Sequence, residues 1–232
     1  MPAEPAVGVV IPVWNAERWL GEAIESVFAQ EHPPIDVVVV DDGSSDRSAA
    51  IAESYGPPVR VLRQRNAGIG AARNSGVALV EGELVTFLDA DDLLTPRSLG
   101  CRVEVLARRP EIDMVFGHVR RFSERLDGAP VALNEAQPGH VPAVMLVRRA
   151  ALEQVGPFLT DTHVAEGLDW LLRAREQRLG EITLAEQVLW RRVHGENNSL
   201  RNRTEIGEFA HALKASLDRR RAASQANAAE DR

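Results

Sequence analysis

Short apolar runs alternate with amphipathic stretches over the first hundred residues of the chain. Residues 7–13 are almost entirely apolar and predict a buried strand, and residues 20–28 repeat apolar side chains at helical spacing. The alternation predicts further strands at 37–40, 59–63 and 84–88, a helix at 68–80, and another that Thr95 caps and Pro96 begins. Strands that alternate with helices favour an α/β fold, with a mainly parallel central sheet and helices on both faces.

The pattern loosens after about residue 113. It predicts short strands at residues 114–116, 144–147 and 188–193 and one clear helix at about 166–178. We expect this half, about residues 113–200, to cover the site and to bind a second substrate. Residues 219–232 contain few apolar anchors and predict a frayed helix or a disordered tail. A chain of 232 residues, 44% of them hydrophobic, suits one domain, which we place at residues 1–218.

Composition and charge exclude several classes of partner. The chain carries a net charge of −7, so the basic surface that nucleic acid requires is not expected. The longest apolar runs fall far short of the roughly 20 residues that cross a membrane, and the N-terminus lacks a basic region followed by an apolar one. We therefore expect a cytoplasmic protein with no integral membrane segment.

Polar side chains gather where the predicted strands end. Trp14-Asn15 follows the first strand, Asp41-Asp42 the second, and Asp89-Ala90-Asp91-Asp92 the fourth. Ligands of open α/β sheets bind beyond the carboxyl ends of the strands, so we expect these residues to share one site. Carboxylates this close repel one another, and a hard divalent cation such as Mg²⁺ or Mn²⁺ would relieve the repulsion while accepting diphosphate oxygens as further ligands. The alternative is an acidic surface turn that caps the helix predicted at Thr95.

The glycines at positions 68, 70 and 76 invite comparison with dinucleotide-binding loops. In such loops the glycines follow the first buried strand, with an acid about 20 residues further on. Here they come after two complete strand–helix units, so NAD binding is not expected. The sequence also lacks the Gly-Lys-Ser or Gly-Lys-Thr of a P-loop.

Four segments in order carry a family resemblance. They are Val10-Ile11-Pro12-Val13-Trp14-Asn15, Val39-Val40-Asp41-Asp42-Gly43-Ser44, the stretch from Asn66 through Ala72-Arg73-Asn74-Ser75-Gly76, and the acidic cluster at 89–92. With them the chain resembles the family 2 glycosyltransferases, which are inverting enzymes with the GT-A fold. The resemblance is close over residues 7–97, which it makes the nucleotide-sugar-binding half, and continues more faintly to about residue 200, which makes 113–200 the acceptor-binding half.

The resemblance also implies roles for particular residues. Asp91, with Asp89 or Asp92, would be the D-x-D ligands of a divalent cation, Mn²⁺ or Mg²⁺, that neutralises the departing nucleoside diphosphate. Asp41 or Asp42 would bond the base, and Arg73 would approach the diphosphate. His194 lies in a segment, residues 191–199, that resembles the one closing over the donor, so the implied metal-binding residues are Asp91, Asp89 and His194. The implied donor-binding residues are Pro12, Val13, Trp14, Asn15, Glu17, Asp41, Asp42, Asn66, Gly68, Arg73, Asp89, Ala90, Asp91, Arg191 and His194.

The general base is less well marked. Glu166 and Asp169 lie on one face of the predicted helix, and Asp169 and Arg173 have the spacing of an ordinary i, i+4 ion pair. The stretch from Glu166 to Arg173 resembles the Glu-Asp motif of the family, but Gly167 stands where many members carry the Asp regarded as the base. We expect Asp169 first and Glu166 second to be catalytic. Upstream, Gly156-Pro157-Phe158 resembles the Gly-Gly-Phe turn beside the acceptor site.

These observations lead to one main functional hypothesis and two alternatives. The chain is expected to move a sugar from a nucleotide sugar, a UDP-sugar by preference, to a hydroxyl of a glycan, peptide, lipid-linked or small-molecule acceptor. Because of Gly167, a non-catalytic or weakly active nucleotide-sugar-binding protein is the first alternative. A sugar nucleotidyltransferase is less favoured, because no glycine-rich loop with Arg and Lys follows the first strand.

Overall fold

The structure is a computed structural model of the whole chain. It describes residues 5–33, 36–124, 130–162, 164–195 and 205–230. The strands are β1 (Val7–Val13), β2 (Asp36–Asp41), β3 (Val59–Arg63), β4 (Leu84–Phe87), β5 (Leu93–Leu94), β6 (Met114–Glu124), β7 (Pro130–Ala132), β8 (Gln137–Pro138), β9 (Leu146–Arg148) and β10 (Glu181–Arg192). The helices are α1 (Leu20–Phe28), α2 (Ser48–Ser54), α3 (Ile69–Leu79), α4 (Ser98–Arg108), α5 (Arg149–Val155), α6 (Glu166–Glu176) and α7 (Glu205–Glu230), with a 3₁₀ turn at Pro142–Val144.

The strands form one sheet in the order β3-β2-β1-β4-β9-β6-β10-β5, with β7 and β8 paired to β6. The first four strands of this order run parallel, and every residue of β1 and β2 is buried. Strands buried on both faces need continuous apolar runs, which is why the sequence pattern located them well. The α/β prediction is confirmed for this half.

The second half of the sheet is mixed in direction. β9 runs antiparallel to both of its neighbours, β4 and β6. β10 returns parallel to β6, and the two-residue β5 pairs antiparallel with β10. The sheet is therefore a mixed one in which the parallel half is continued by strands of both directions.

The predicted start of α4 was wrong by a few residues. The sequence predicts a helix that Thr95 caps, but α4 begins at Ser98. The N–H and the hydroxyl of Thr95 instead donate hydrogen bonds to the carbonyls of Val188 and Gln187, at 3.1 and 2.7 Å. Thr95 thus extends the pairing of β5 with β10, a tertiary contact that a local pattern does not contain.

The C-terminal residues are helical in this structure. Where a frayed helix or a disordered tail was expected from residue 219, α7 continues to Glu230. Arg219 donates to the carboxylates of Glu176, at 2.7 Å, and Asp169, at 3.4 Å, so a charged side chain supplies the anchor that apolar residues do not. Among the described residues, no helix is both long and apolar enough to cross a bilayer.

Candidate active site

Three strand ends meet at one edge of the sheet. β1 lies between β2 and β4, and both run parallel to it. The ladder continues past the strands, since the N–H of Asp42 donates to Val13 O at 2.8 Å and the N–H of Leu88 donates to Val10 O at 3.0 Å. The residues that follow these strands therefore share one edge, as the sequence predicted.

The two acids after β2 have different surroundings. The carboxylate of Asp42 accepts hydrogen bonds from Gln64 Nε2 at 2.8 Å and from the N–H groups of Ala67 and Gly68 at 2.9 Å each. Asp41 accepts the N–H of Ser44 through one oxygen, at 3.1 Å, and its other oxygen has no hydrogen bond within the described part of the chain. Asp42 thus organises the loop that leads to α3, while Asp41, which is also buried, makes one side-chain hydrogen bond among the described residues.

The segment after β1 turns outward. Pro12 and Val13 are buried within the strand, whereas Trp14 is 48% exposed. Asn15 follows in the left-handed region, with φ of 50°, and its side-chain oxygen accepts the N–H of Ser45 at 2.8 Å. The carboxylate of Glu17 accepts both the N–H and the Nε of Arg47, in the loop after β2.

The remaining sequence-predicted donor residues fall around the same edge. Asn66 is exposed, and Gly68 caps α3 with φ of 88°, a conformation that glycine adopts without strain. Ala90 is buried between the two acids it separates. Arg191 is exposed, and its neighbour Arg192 is buried.

The three acids after β4 have three different partners. Asp89 accepts Arg73 Nη2 at 2.9 Å, and Asp91 lies 2.9 Å from His194 Nε2. Asp92 is buried and accepts the N–H of Arg192 at 2.9 Å. The cluster is therefore divided: Asp89 and Asp91 are partly exposed, and Asp92 is buried and anchors the turn to β10.

Burial raises the pKa of the Asp92 carboxyl well above its ordinary value, and the charges of Asp91 and Asp89 raise it further. Arg192 stabilises the same turn, since its Nε donates to Asp91 O at 3.0 Å. Its guanidinium also pairs with Glu22 and Glu124, which joins α1 and β6 to the turn. The sequence named Arg191 or Arg192 as a helper of His194 at the donor, and it gave no sign that Arg192 holds the acidic turn.

His194 is fixed on two sides. Its ring stacks on Trp19, with centroids 3.8 Å apart and planes inclined by 26°, and its Nε2 faces Asp91. A small cavity of about 130 Å³ lies beside this stack, lined in part by Arg18 and Glu124. The sequence gave His194 a role at the metal or the diphosphate, which stays a prediction. It gave no signal of the ring contact with Trp19, the residue just before α1.

Arg73 joins the two halves of the site. It is 2% exposed, its Nη2 donates to Asp89, and its Nη1 donates to Glu166, the first residue of α6. Burial alone would lower the pKa of Arg73, but the carboxylates of Asp89 and Glu166 outweigh burial and raise it. Glu166 Oε2 and Arg73 Nε are buried and have no hydrogen-bond partner among the described residues.

The two candidate bases have different partners. Glu166 contacts the site through Arg73, whereas Asp169 accepts Arg173 Nε at 2.7 Å and also pairs with Arg219. The ion pair that the i, i+4 spacing indicated is therefore present. Asp169 is thus engaged by two arginines and Glu166 by one, while the ranking of Asp169 before Glu166 stays a prediction.

A second set of hydrogen bonds connects α6 to α3 through the turn at residues 156–158. Asn74 donates from Nδ2 to Phe158 O at 2.9 Å and accepts the N–H of Phe158 at 2.8 Å. Trp170 Nε1 donates to Gly156 O at 3.0 Å. The Gly156-Pro157-Phe158 turn is thus bonded to the helix that carries Arg73 and to the helix that carries Glu166.

The residues around Asp91 are compatible with a divalent cation. In the described ranges, no three His, Cys, Asp or Glu side chains form a ready-made metal cage. Mg²⁺ sites at diphosphates use one or two carboxylates, with phosphate oxygens and water as the other ligands. Asp91 is partly exposed with His194 beside it, so this donor set fits such a shared site, while Asp89 is paired with Arg73.

Residues 8–156 match the family model of glycosyl transferase family 2, which is more than half of the chain. The chain belongs to this family. An uncharacterized glycosyltransferase of Nostoc sp. is 32% identical over 91% of this chain and 72% of its own length. The uncharacterized glycosyltransferase EpsJ of Bacillus subtilis is 32% identical over 56% of this chain, but only 38% of its own length is covered. The chain therefore spans well under two thirds of the length of several of its curated relatives.

The solved structures confirm the GT-A-like fold of this glycosyltransferase. The crystal structure of S. aureus TarS 1-349 in complex with UDP-GlcNAc superposes with a TM-score of 0.75 at 20% identity, over 91% of this chain and 65% of that one. The longer S. aureus TarS gives a TM-score of 0.70 at 21% identity, and only 39% of that chain is covered.

Proposed function

We propose that this glycosyltransferase moves a sugar, with inversion, from a UDP-sugar to an acceptor hydroxyl, and that Glu166 is its general base. One observation carries the proposal: Arg73 bonds Asp89 on the donor side and Glu166 on the other, so both groups belong to one buried network. The complexes of TarS with UDP-GlcNAc and UDP support a UDP-sugar as the donor. The cytoplasmic location expected from the sequence stays a prediction.

The donor would lie across the three strand ends. Trp14 is exposed at the end of β1 and can stack on the uracil ring, and Asp41 has an oxygen available to the base. Arg73 and the exposed part of the Asp91 carboxylate would lie near the diphosphate. Asp91, with His194 beside it, would hold a Mn²⁺ or Mg²⁺ ion, which when bound offsets the negative charge on the leaving nucleoside diphosphate.

The transfer needs one proton acceptor. As the acceptor oxygen bonds to the anomeric carbon, its proton passes to Glu166 Oε2, and the bond from the anomeric carbon to the diphosphate oxygen breaks on the opposite face. Glu166 Oε2 is the proton acceptor in this proposal because Arg73 engages the other oxygen. Oε2 is buried, so the acceptor has to displace the side chains that cover it.

The first experiment is a thermal-shift screen of nucleotide sugars with and without Mn²⁺, followed by an assay of donor loss. A donor at 100 times its dissociation constant should stabilise the protein by about 2.7 kcal/mol. Stabilisation by a UDP-sugar that depends on Mn²⁺, with slow release of UDP, supports the proposal. Release of pyrophosphate would instead identify a nucleotidyltransferase, and no response to any nucleotide sugar would contradict the proposal.

The base is tested by comparing Glu166→Gln with Asp169→Asn, two neutral replacements on the same helix. Glu166→Gln should lower turnover by about 100-fold or more while the UDP dissociation constant stays near that of the native chain. Asp169→Asn should lower stability, because Arg173 and Arg219 lose a partner, and should change turnover much less. Equal turnover losses in both variants, or a loss confined to Asp169→Asn, would remove Glu166 from this role.

A further inference from the structure

The first turn of α6 packs against a proline. A Cβ atom placed on Gly167 would lie 2.6 Å from Cδ and 2.9 Å from Cγ of Pro142. Carbon atoms in well-packed proteins do not approach this closely, since optimal separations are about 3.5–4.0 Å. Both residues are buried, so position 167 has no room for a side chain unless the proline moves.

The turn that carries Pro142 is held from several directions. Val144 O accepts Arg102 Nη1 at 3.1 Å, and Met145 O accepts the hydroxyl of Thr86 at 2.7 Å. Val144, Arg102 and Thr86 are fully buried. Strand β9 follows at once and pairs with β4 and β6. Shifting Pro142 would therefore break buried hydrogen bonds, which is costly.

We infer that Pro142 and Gly167 are a matched pair: the proline ring fills the space of a side chain at position 167, so this position carries no carboxylate and Glu166 remains the candidate base of the first turn of α6. The other acid of this turn, Asp169, is held by Arg173 and Arg219. The packing part of this inference stands by itself, and the catalytic part rests on the proposed function.

The packing part is tested by thermal unfolding, without any substrate. Glycine in a helix is less favourable than alanine, so an unobstructed Gly→Ala change should raise Tm by about 2–4 °C in a chain of this size. Gly100 in α4 is the matched control, because the nearest atom to its added Cβ is 3.8 Å away. Gly100→Ala should show this rise, and Gly167→Ala should lower Tm by about 2–10 °C because it overpacks the turn.

Replacement of Pro142 with alanine should reverse the sign of the Tm change caused by Gly167→Ala. In a Pro142→Ala background, Gly167→Ala should raise Tm by about the amount seen for Gly100→Ala. If Gly167→Ala alone does not fold, recovery of folded protein in the double variant supports the pair. A rise in Tm for Gly167→Ala in the presence of Pro142, or the same fall in both backgrounds, would overturn it.

The catalytic part is tested by replacing Pro142 with alanine, which makes room at position 167, and by placing an aspartate there. Glu166→Gln should cost about 100-fold or more in turnover in the native background but less than about tenfold in Pro142→Ala/Gly167→Asp, where a second carboxylate is present. An equal cost in both backgrounds would overturn the catalytic part. If the native chain turns over no nucleotide sugar at all, the proposed function fails, and the Tm comparison still decides the packing.

Discussion

Replacement of Arg73 with methionine is expected to destabilise the protein by about 3–5 kcal/mol, the cost of breaking a buried ion pair from one side. Arg73 and Glu166 have side chains that are 3% and 7% exposed, so methionine would leave a buried carboxylate without its counter-charge. In a chain of this size, each kcal/mol lowers Tm by about 2–4 °C, so a fall of about 6–20 °C is expected.

The two carboxylates paired with Arg73 should contribute unequally. Asp89 is 34% exposed, so water can solvate it, and Asp89→Asn should cost about 1 kcal/mol or less. Glu166 has no such access to water. In Arg73→Met/Glu166→Gln both buried charges are gone, and we expect the double variant to recover about 2–3 kcal/mol relative to the sum of the single changes.

Urea unfolding followed by circular dichroism at pH 7 measures these free energies of unfolding. The double-mutant cycle needs Arg73→Met, Glu166→Gln and the double variant Arg73→Met/Glu166→Gln. Asp89→Asn and Arg73→Met/Asp89→Asn form the matched cycle for the other carboxylate. Additive effects for Arg73 and Glu166 within about 0.5 kcal/mol would refute the coupling. The ranking of the two carboxylates would be refuted if Asp89→Asn cost as much as Glu166→Gln.

Three further changes test other parts of the structure. Burial alone would raise the pKa of Asp36, but hydrogen bonds from Arg60 and a backbone N–H outweigh burial and lower this pKa. The ion pair of Asp36 with Arg60 therefore stabilises the fold above about pH 3.9, and this stability is lost at lower pH. Asp36→Asn should therefore cost about 1–3 kcal/mol at pH 7, and the difference from the native chain should narrow below pH 3.9 in urea titrations; a constant difference would contradict this sign. His194→Ala should weaken Mn²⁺ binding in the presence of UDP about tenfold or more by calorimetry, and an unchanged constant would exclude a role for His194 near the cation. Trp14→Ala should weaken UDP binding by about tenfold with Tm unchanged, because Trp14 is exposed; equal binding would remove it from the base pocket.

The parallel half of the fold was readable from the sequence because its strands are buried on both faces. Four consecutive β-branched residues at 37–40 predict a buried central strand, and the acids that follow them mark its end. The same logic gave the convergence of Trp14, Asp41 and Asp89 at one edge. These features depend on local pattern and on a general rule for parallel sheets.

The second half was harder because its elements depend on distant partners. β6 and β10 are longer than the short apolar runs at 114–116 and 188–193, since pairing with each other extends them. The choice between Glu166 and Asp169 depends on which arginine each one meets, and Arg73 lies 93 residues before Glu166. The restriction at Gly167 comes from Pro142, a residue that no helical periodicity connects to α6.

Strand β9 has a consequence for building hybrid enzymes. It belongs to the second half of the chain, yet it covers the edge of β4, the last strand of the parallel half. A chain cut near residue 113 would expose the unpaired N–H and C=O groups of β4, and such edges recruit other chains into aggregates. Exchange of acceptor-binding segments between family members must therefore keep a β9 strand paired with β4 and β6.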